Sequence, residues 1–277
     1  MSPYMLSYTG GSSPVHALSG VTKFIIFILW SVLGMAGYDT RVMLVMCGLG
    51  IVIFALSSVK FRDIAFMLKM LLLFMVLNLL GIYLFAPEQG VEIYGSRHII
   101  CRGIGRYTLT AEQIFYELNV FLKYLLIFPA AVALILTTNP SEFAASLNRI
   151  GVPYTAAYAV SLALRYIPDV QRDYQGISQS QQARGTELSR KAPWTKRISG
   201  LARIIGPLIF SSLDRIDVIS HAMELRSFGK YRKRTWYSSR PFTRTDALVL
   251  VLAILLFILG VWVTFRDGSR FYNPFTG

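Results

Sequence analysis

The sequence predicts an all-α fold: a polytopic helical membrane protein with about five transmembrane helices and long amphipathic helices on its cytoplasmic side. Three observations lead there. Of the 277 residues, 54% are hydrophobic and the mean hydropathy is +0.49, whereas soluble domains stay near about 45–50% apolar even when glycine is counted. Five apolar stretches approach the ~20 residues that a helix needs to cross the hydrocarbon core. Finally, the formal net charge of +13 is unevenly spread. Between Asn139 and Thr243 there are 16 Lys/Arg against 7 Asp/Glu, in a segment whose apolar residues recur at helical spacing.

The first twenty residues are polar and rich in Ser and Gly. No basic run precedes the first apolar stretch and no cleavage signal follows it, so a removed signal peptide is not expected. His16 has no second His or Cys at metal spacing and is read as an ordinary polar residue rather than a ligand. Spans one and two are expected at Val21–Gly37 and Val42–Val59, joined by a turn at Tyr38–Arg41. Gly34, Ala36, Gly48 and Gly50 suit close helix approach. Span three, Ile64–Phe85, carries Lys69 near its start, where a lysine snorkels to the interface. Its deeper Asn78 suits a helix–helix hydrogen bond. Residues Ala86–Glu117, broken by four glycines, read as an ordered loop or short hairpin. Span four, Leu118–Thr138, contains Pro129 and span five covers Asp246–Phe265, followed by a short polar tail.

The chain thus divides into a four-span membrane part (1–138), a basic segment (139–243) and a final span with its tail (244–277). Sixteen basic residues in the segment against three in the 86–117 loop place the segment in the cytoplasm and the loop outside. The apolar run Thr155–Pro168 is about 14 residues long with Arg165 inside, too short and too charged for a span.

Within the basic segment two runs look alike: Ser180-Gln181-Gln182-Ala183-Arg184-Gly185 and Ala222-Met223-Glu224-Leu225-Arg226-Ser227. Each places one arginine at the end of a predicted helix, with a small residue after it. In the second helix Ile209, Leu213, Ile216 and Met223 share one face, and Asp214, Asp217, His221 and Glu224 share another. Pro207 suits its first helical position and Gly229 its stop. In the first helix Val160, Leu164, Ile167 and Tyr174 form the stripe, and Pro168 should kink it. Arginine offers five donors in a planar fork that matches carboxylates and clustered carbonyls. At a helix C-terminus its charge also gains roughly 0.3–1 kcal/mol from the macrodipole. Gly185 is able to take the left-handed conformation that turns the chain away from such an end.

These motifs resemble those of the transmembrane T component of energy-coupling-factor (ECF) transporters, the family that also holds the membrane scaffolds of cobalt and nickel importers. Ala183-Arg184-Gly185 is similar to the first Ala-Arg-Gly motif of that family. Glu224-Leu225-Arg226-Ser227 is similar to the second, with serine in place of glycine. Ser12–Lys23, with His16, Leu18, Thr22 and Lys23, resembles the family's entry segment. Leu136–Glu142 and Leu162–Pro168 resemble the stretches leading into its cytoplasmic coupling helices. The resemblance implies a non-catalytic scaffold of an ATP-driven vitamin or transition-metal importer. It implies Ala183, Arg184, Gly185, Glu224, Leu225, Arg226 and Ser227 as the ATPase-coupling residues. Two cytoplasmic ABC-type ATPase subunits would bind ATP and Mg, so this chain would need no cofactor of its own. One small membrane protein, the S component, would bind the substrate, all in the prokaryotic plasma membrane.

Independently of that resemblance, the sequence has no Gly-x-x-x-x-Gly-Lys-Ser/Thr loop, no His-Glu-x-x-His and no Cys-x-x-Cys. Its two cysteines, Cys47 and Cys101, do not suggest a disulfide framework. The alternative is a self-contained secondary transporter, which calls for ionisable residues in mid-span and repeated halves. Nucleic-acid binding is not expected, because the basic residues alternate with buried-looking apolar ones.

Overall fold

The computed structural model describes residues 13–57, 61–102, 107–186, 193–231, 235–236, 240–266 and 268–275. The described chain is helical apart from one short strand pair. In order it forms α1 (Pro14–Ala17), α2 (Gly20–Ala36), α3 (Thr40–Leu56), α4 (Phe61–Phe85) and α5 (Gln89–Tyr94). Strands β1 (Ile99–Cys101) and β2 (Leu109–Thr110) follow, then α6 (Ala111–Thr137), α7 (Pro140–Arg149), α8 (Tyr154–Ala183), α9 (Trp194–Leu225) and α10 (Arg244–Arg266). By contacts, residues 1–139 and 240–277 form one compact unit and 140–239 a second.

In the first unit, Ile64–Phe85, α6 and α10 are long and apolar enough to cross a membrane. The other two expected spans, α2 and α3, are apolar helices of 17 residues each, at the short end of what crosses a bilayer. Helix α6 is the centre of the unit and packs against α2, α3, α4 and α5. Trp30, Leu33, Met43, Met46, Cys47, Leu122 and Leu126 form the main core. The outward faces of α4 and α10 stay apolar and exposed, as lipid-facing surfaces require.

Polar groups gather at the two ends of this bundle. At one end, buried Asp246 accepts from the Ser19 backbone N–H at 2.8 Å and from Thr243 N–H at 2.9 Å. Ser13 Oγ and His16 Nδ1 lie 2.6 Å apart, and Arg240 donates to the His16 carbonyl. At the other end the Tyr38 turn, the 86–117 region and the C-terminal tail meet. Tyr38 N–H donates to Arg270 O at 2.9 Å, Asn273 donates to Tyr94 O at 2.9 Å, and Phe275 packs against Tyr94, Phe115 and His98. Burial pushes the Tyr94 phenol up to about 12, so it stays a neutral acceptor for Asn119. The five crossings expected from the sequence would put these three segments on one face of the membrane, and in the structure the segments pack together.

Helices α2 and α6 are clasped reciprocally. Lys23 of α2 donates to Thr137 O at the C-terminus of α6 at 2.8 Å, and Lys123 of α6 donates to Met35 O at the C-terminus of α2 at 2.9 Å. Between them Trp30 Nε1 donates to Leu126 O at 3.0 Å. Each lysine thereby satisfies a carbonyl that its neighbour's last turn leaves unpaired, at the negative end of that helix.

Several boundaries differ from expectation. Span four begins at Ala111, not Leu118, because Thr110 caps the helix by accepting from Gln113 N–H at 3.3 Å. The loop before it is a hairpin with Ile99 paired to Thr110, preceded by α5. Residues 103–106, with the Gly103-Ile104-Gly105 break, lie outside the described residues. Asn78 is half-buried and makes no side-chain hydrogen bond within the described residues. Helix α4 is held mainly through Ile64 and Met67 against Val132, Leu136 and Phe128, nearer its other end.

Candidate functional site

The second unit contains both arginine motifs. Helix α7 packs on α8, and α8 on α9. Helix α8 is 30 residues long with Pro168 inside, and α9 is 32 residues long with Pro207 inside. Pro207 therefore does not start the second helix. The apolar period continues upstream through Ile205, Leu201 and Ile198 to Trp194, and the longer stripe outweighs the local proline cost of about 3 kcal/mol. The Thr155–Pro168 run is the first half of α8, whose second half is polar; α8 is not among the helices apolar enough to cross a membrane.

The two helices run antiparallel. Tyr154 and Tyr158 at the start of α8 pack on Phe228, just past the end of α9, with ring centroids 5.6 and 4.7 Å apart. Further along, Asp173 forms a half-buried ion pair with Arg215. Trp236 Nε1 donates to Asn148 Oδ1 at 3.1 Å and its ring lies 5.3 Å from Tyr154, tying the region after α9 to α7 and α8.

Both helices end in the same way. In α8, Arg184 is the C-cap and Gly185 takes φ +84°. Gly185 N–H donates to Gln182 O and Thr186 N–H to Gln181 O, each at 3.0 Å. In α9, Arg226 is the C-cap and Ser227 takes φ +54°. Ser227 N–H donates to Glu224 O at 2.8 Å and Phe228 N–H to Met223 O at 2.9 Å. This paired pattern is the Schellman motif. The stop of α9 is thus at Ser227 itself, not at Gly229, and serine does what glycine does in α8. Glycine adopts that backbone without strain, whereas a residue with a Cβ pays roughly 1–2 kcal/mol.

Ala183, Arg184, Gly185, Glu224, Leu225, Arg226 and Ser227 are all exposed, and Leu225 is 88% exposed. The antiparallel arrangement puts the two motifs at opposite ends of the pair rather than side by side. Arg184 lies eleven residues beyond Asp173, and Arg226 eleven residues beyond its partner Arg215. At 1.5 Å per residue the two arginines are separated by on the order of 30 Å along the helices. Thr186 and Phe228, which complete the two caps, were not evident in the sequence. Phe228 is an aromatic with no periodic partner, and its role depends on Tyr154 and Tyr158, some seventy residues away.

Among the described residues, no group of three or more His, Cys, Asp or Glu side chains is placed to hold a metal ion. The assembly is a helical membrane bundle bearing a separate helical unit with two exposed, arginine-capped ends.

Comparison with known proteins gives that class a family. The model described as CbiQ, cobalt transport protein, matches residues 11–237, and the chain belongs to this family, the transmembrane components of energy-coupling-factor transporters. Among similar proteins, one from Brevibacillus brevis is 26% identical over 269 residues, covering 93% of this chain and 97% of the relative. One from Bacillus subtilis is 26% identical over 268 residues, covering 91% and 96%. One from Leuconostoc gelidum subsp. gasicomitatum is 28% identical over 172 residues, covering 58% of this chain. All three are named energy-coupling factor transporter transmembrane protein EcfT. The matches to the Leuconostoc protein and to one from Limosilactobacillus fermentum span less than two thirds of those proteins, 64% and 61%.

Proposed function

We propose that this chain is the scaffold and energy-coupling subunit of an ECF-type importer of a vitamin or transition metal. Its second unit would lie in the cytoplasm as the coupling segment. Two ABC-type ATPase subunits would dock at the two ends of the α8–α9 pair and would bind and hydrolyse ATP with Mg. A small S component would bind the substrate in the membrane and pack on apolar faces of the same helices, where Ile167, Val170, Phe210, Leu213 and Ile216 are exposed. Closure of the ATPase pair would move the helix ends and tilt the substrate-binding partner. The relatives' shared name supports the scaffold role and does not favour a self-contained secondary transporter.

The observation that carries this reading is the matched pair of helix ends. Each presents an exposed arginine and a left-handed cap, and the antiparallel geometry turns them away from one another. One partner groove would not reach both, whereas two copies or homologues of one partner would. Around Arg184, Ala183 and Gly185 leave room for a groove to close on the guanidinium. Around Arg226, Leu225 adds an apolar contact and Glu224 a second charge.

The test is Arg184→Ala combined with Arg226→Ala. Truncating one partner of a buried charge pair at an interface typically costs about 2–5 kcal/mol. The double variant is expected to insert normally but to lose its ATPase subunits on purification, or to hydrolyse ATP without uptake. Normal assembly and transport by that variant would end the coupling assignment.

A further inference from the structure

The membrane unit is closely packed over one half of its depth and open over the other. A cavity of about 670 Å³ lies among α2, α3, α6 and α10, with α1 at one end. Its walls are apolar except for Lys23, Thr137 and Thr245, which stand at the end of the bundle where Asp246 accepts from Ser19. From that end it runs along α2 from Lys23 to Leu33 and along α10 from Thr245 to Phe257. Ten and twelve residues at about 1.5 Å each give about 15–18 Å, half of the ~30 Å hydrocarbon core. There it stops, because two glycines bring the helices together. A Cβ on Gly34 would meet Leu126 Cδ1 at 2.5 Å, and one on Gly260 would meet Leu33 Cδ2 at 2.6 Å. On its side the cavity opens toward the bilayer, where its lining residues Leu49, Leu56 and Leu252 are exposed.

The size and chemistry of this groove select what fits it. Apolar walls offer water no hydrogen bonds, so hydrocarbon is favoured over water. The volume spread over that length is about 40 Å² in cross-section, whereas an α-helix about 10–12 Å across needs about 80–110 Å². A partner's helix is too wide, and a hydrocarbon chain is not. The depth is that of one leaflet. Arg244, exposed at the first residue of α10, directly precedes Thr245 at the polar end. A cation thus stands where the phosphate of a lipid in that leaflet would lie.

We infer that the groove is a binding site for one glycerophospholipid, its acyl part seated between α3 and α10 and its phosphate beside Arg244. Helix α3 packs on α6 and α10 on α2, so the bound lipid completes the bundle on the side between α3 and α10. The site belongs to the membrane unit alone and needs neither ATPase nor S component, so it stands or falls independently of the coupling reading.

The test uses the full chain with Trp194→Phe, Trp236→Phe and Trp262→Phe, which leaves Trp30 as its one indole. Trp30 is buried and lines the groove. In a steroid-based detergent, whose rigid body does not thread such a groove, the chain is titrated with phosphatidylglycerol brominated on its acyl chains. Trp30 fluorescence should be quenched saturably at one lipid per chain and recover on addition of the unbrominated lipid. Ala253→Phe and Ala133→Leu fill the groove from different walls, so either one serves if the other fails to fold. Each excludes about two methylenes of the tail and should weaken binding about fifteenfold. Arg244→Glu should weaken it at least about fivefold. Quenching that rises without saturation, or that persists unchanged in both filled variants, overturns the site. Equal affinity for a brominated fatty acid, or unaltered affinity in Arg244→Glu, overturns the phosphate contact.

Discussion

The serine that ends α9 makes a quantitative prediction, because the two helix ends are built alike but carry different residues. At Ser227, φ is +54°, a backbone that costs a residue with a Cβ roughly 1–2 kcal/mol relative to the right-handed form. Replacing it by glycine removes that strain but adds unfolded-chain freedom worth about 0.5–1 kcal/mol. The net gain for Ser227→Gly is therefore about 0.5–1 kcal/mol, or about two- to fivefold in the population of the closed cap. The reverse change at Gly185 should lose about as much. A Cβ built there meets no atom within 4 Å, so the backbone term stands without a clash. Amide hydrogen exchange reads the caps directly at Phe228 and Thr186, whose N–H groups close the outer hydrogen bond of each motif. Protection at Phe228 should rise in Ser227→Gly and protection at Thr186 should fall in Gly185→Ser. ATPase-subunit affinity should move in the same directions if the caps present the arginines. Unchanged exchange in both variants would refute the view that the left-handed residue sets the helix end. Tighter exchange with weaker docking in Ser227→Gly would instead make the serine hydroxyl itself a contact.

Two further predictions concern the membrane unit. Lys123→Met removes the cation that donates to Met35 O and lies 3.1 Å from the Tyr38 ring centre. Hydrogen bonds from charged groups are worth about 1.5–3 kcal/mol, so the thermal midpoint of the detergent-solubilised chain should fall; an unaltered midpoint would show that the lysine does not hold the end of α2. The exposed Cys101 lies in the hairpin expected outside the cell, so an impermeant thiol reagent should label intact cells through it and fail with Cys101→Ser. Labelling that requires permeabilised cells would invert the topology.

What the sequence made legible follows from the range of the forces involved. The apolar stretches show in composition because a bilayer demands ~20 apolar residues without help from distant contacts. Gly185 as a left-handed stop was legible because glycine signals that conformation by itself. Ser227 was not, since serine takes it only where the surrounding hydrogen bonds, here to Glu224 and Met223, impose it. The early start of α6 was missed although Thr110 and Gln113 stand at capping-box spacing, because the apolar period begins later than the cap. Pro207 misled in the opposite way: a local rule about first helical positions gave way to a stripe continuing for thirteen residues upstream. The lysine clasp was invisible, as each partner is a backbone carbonyl on a helix about a hundred residues away.

The separation of the two arginines was hidden in plain connectivity. Consecutive helices that fold back on one another put the first C-terminus at their turn and the second at the far end. Two similar C-terminal motifs on α8 and α9 must therefore face apart, and only the antiparallel pairing, fixed here by Asp173 with Arg215 and by Tyr158 with Phe228, was needed to conclude it. On the proposed function such a pair would behave as a lever with a contact at each end. A partner that pulls both ends together cannot shorten the helices, so the displacement must appear as tilt or sliding near the middle. That middle is where Ile167 and Val170 of α8, and Phe210 and Leu213 of α9, stand exposed. A substrate-binding membrane protein seated there would feel the motion without touching either arginine, which is the separation of roles that a scaffold requires.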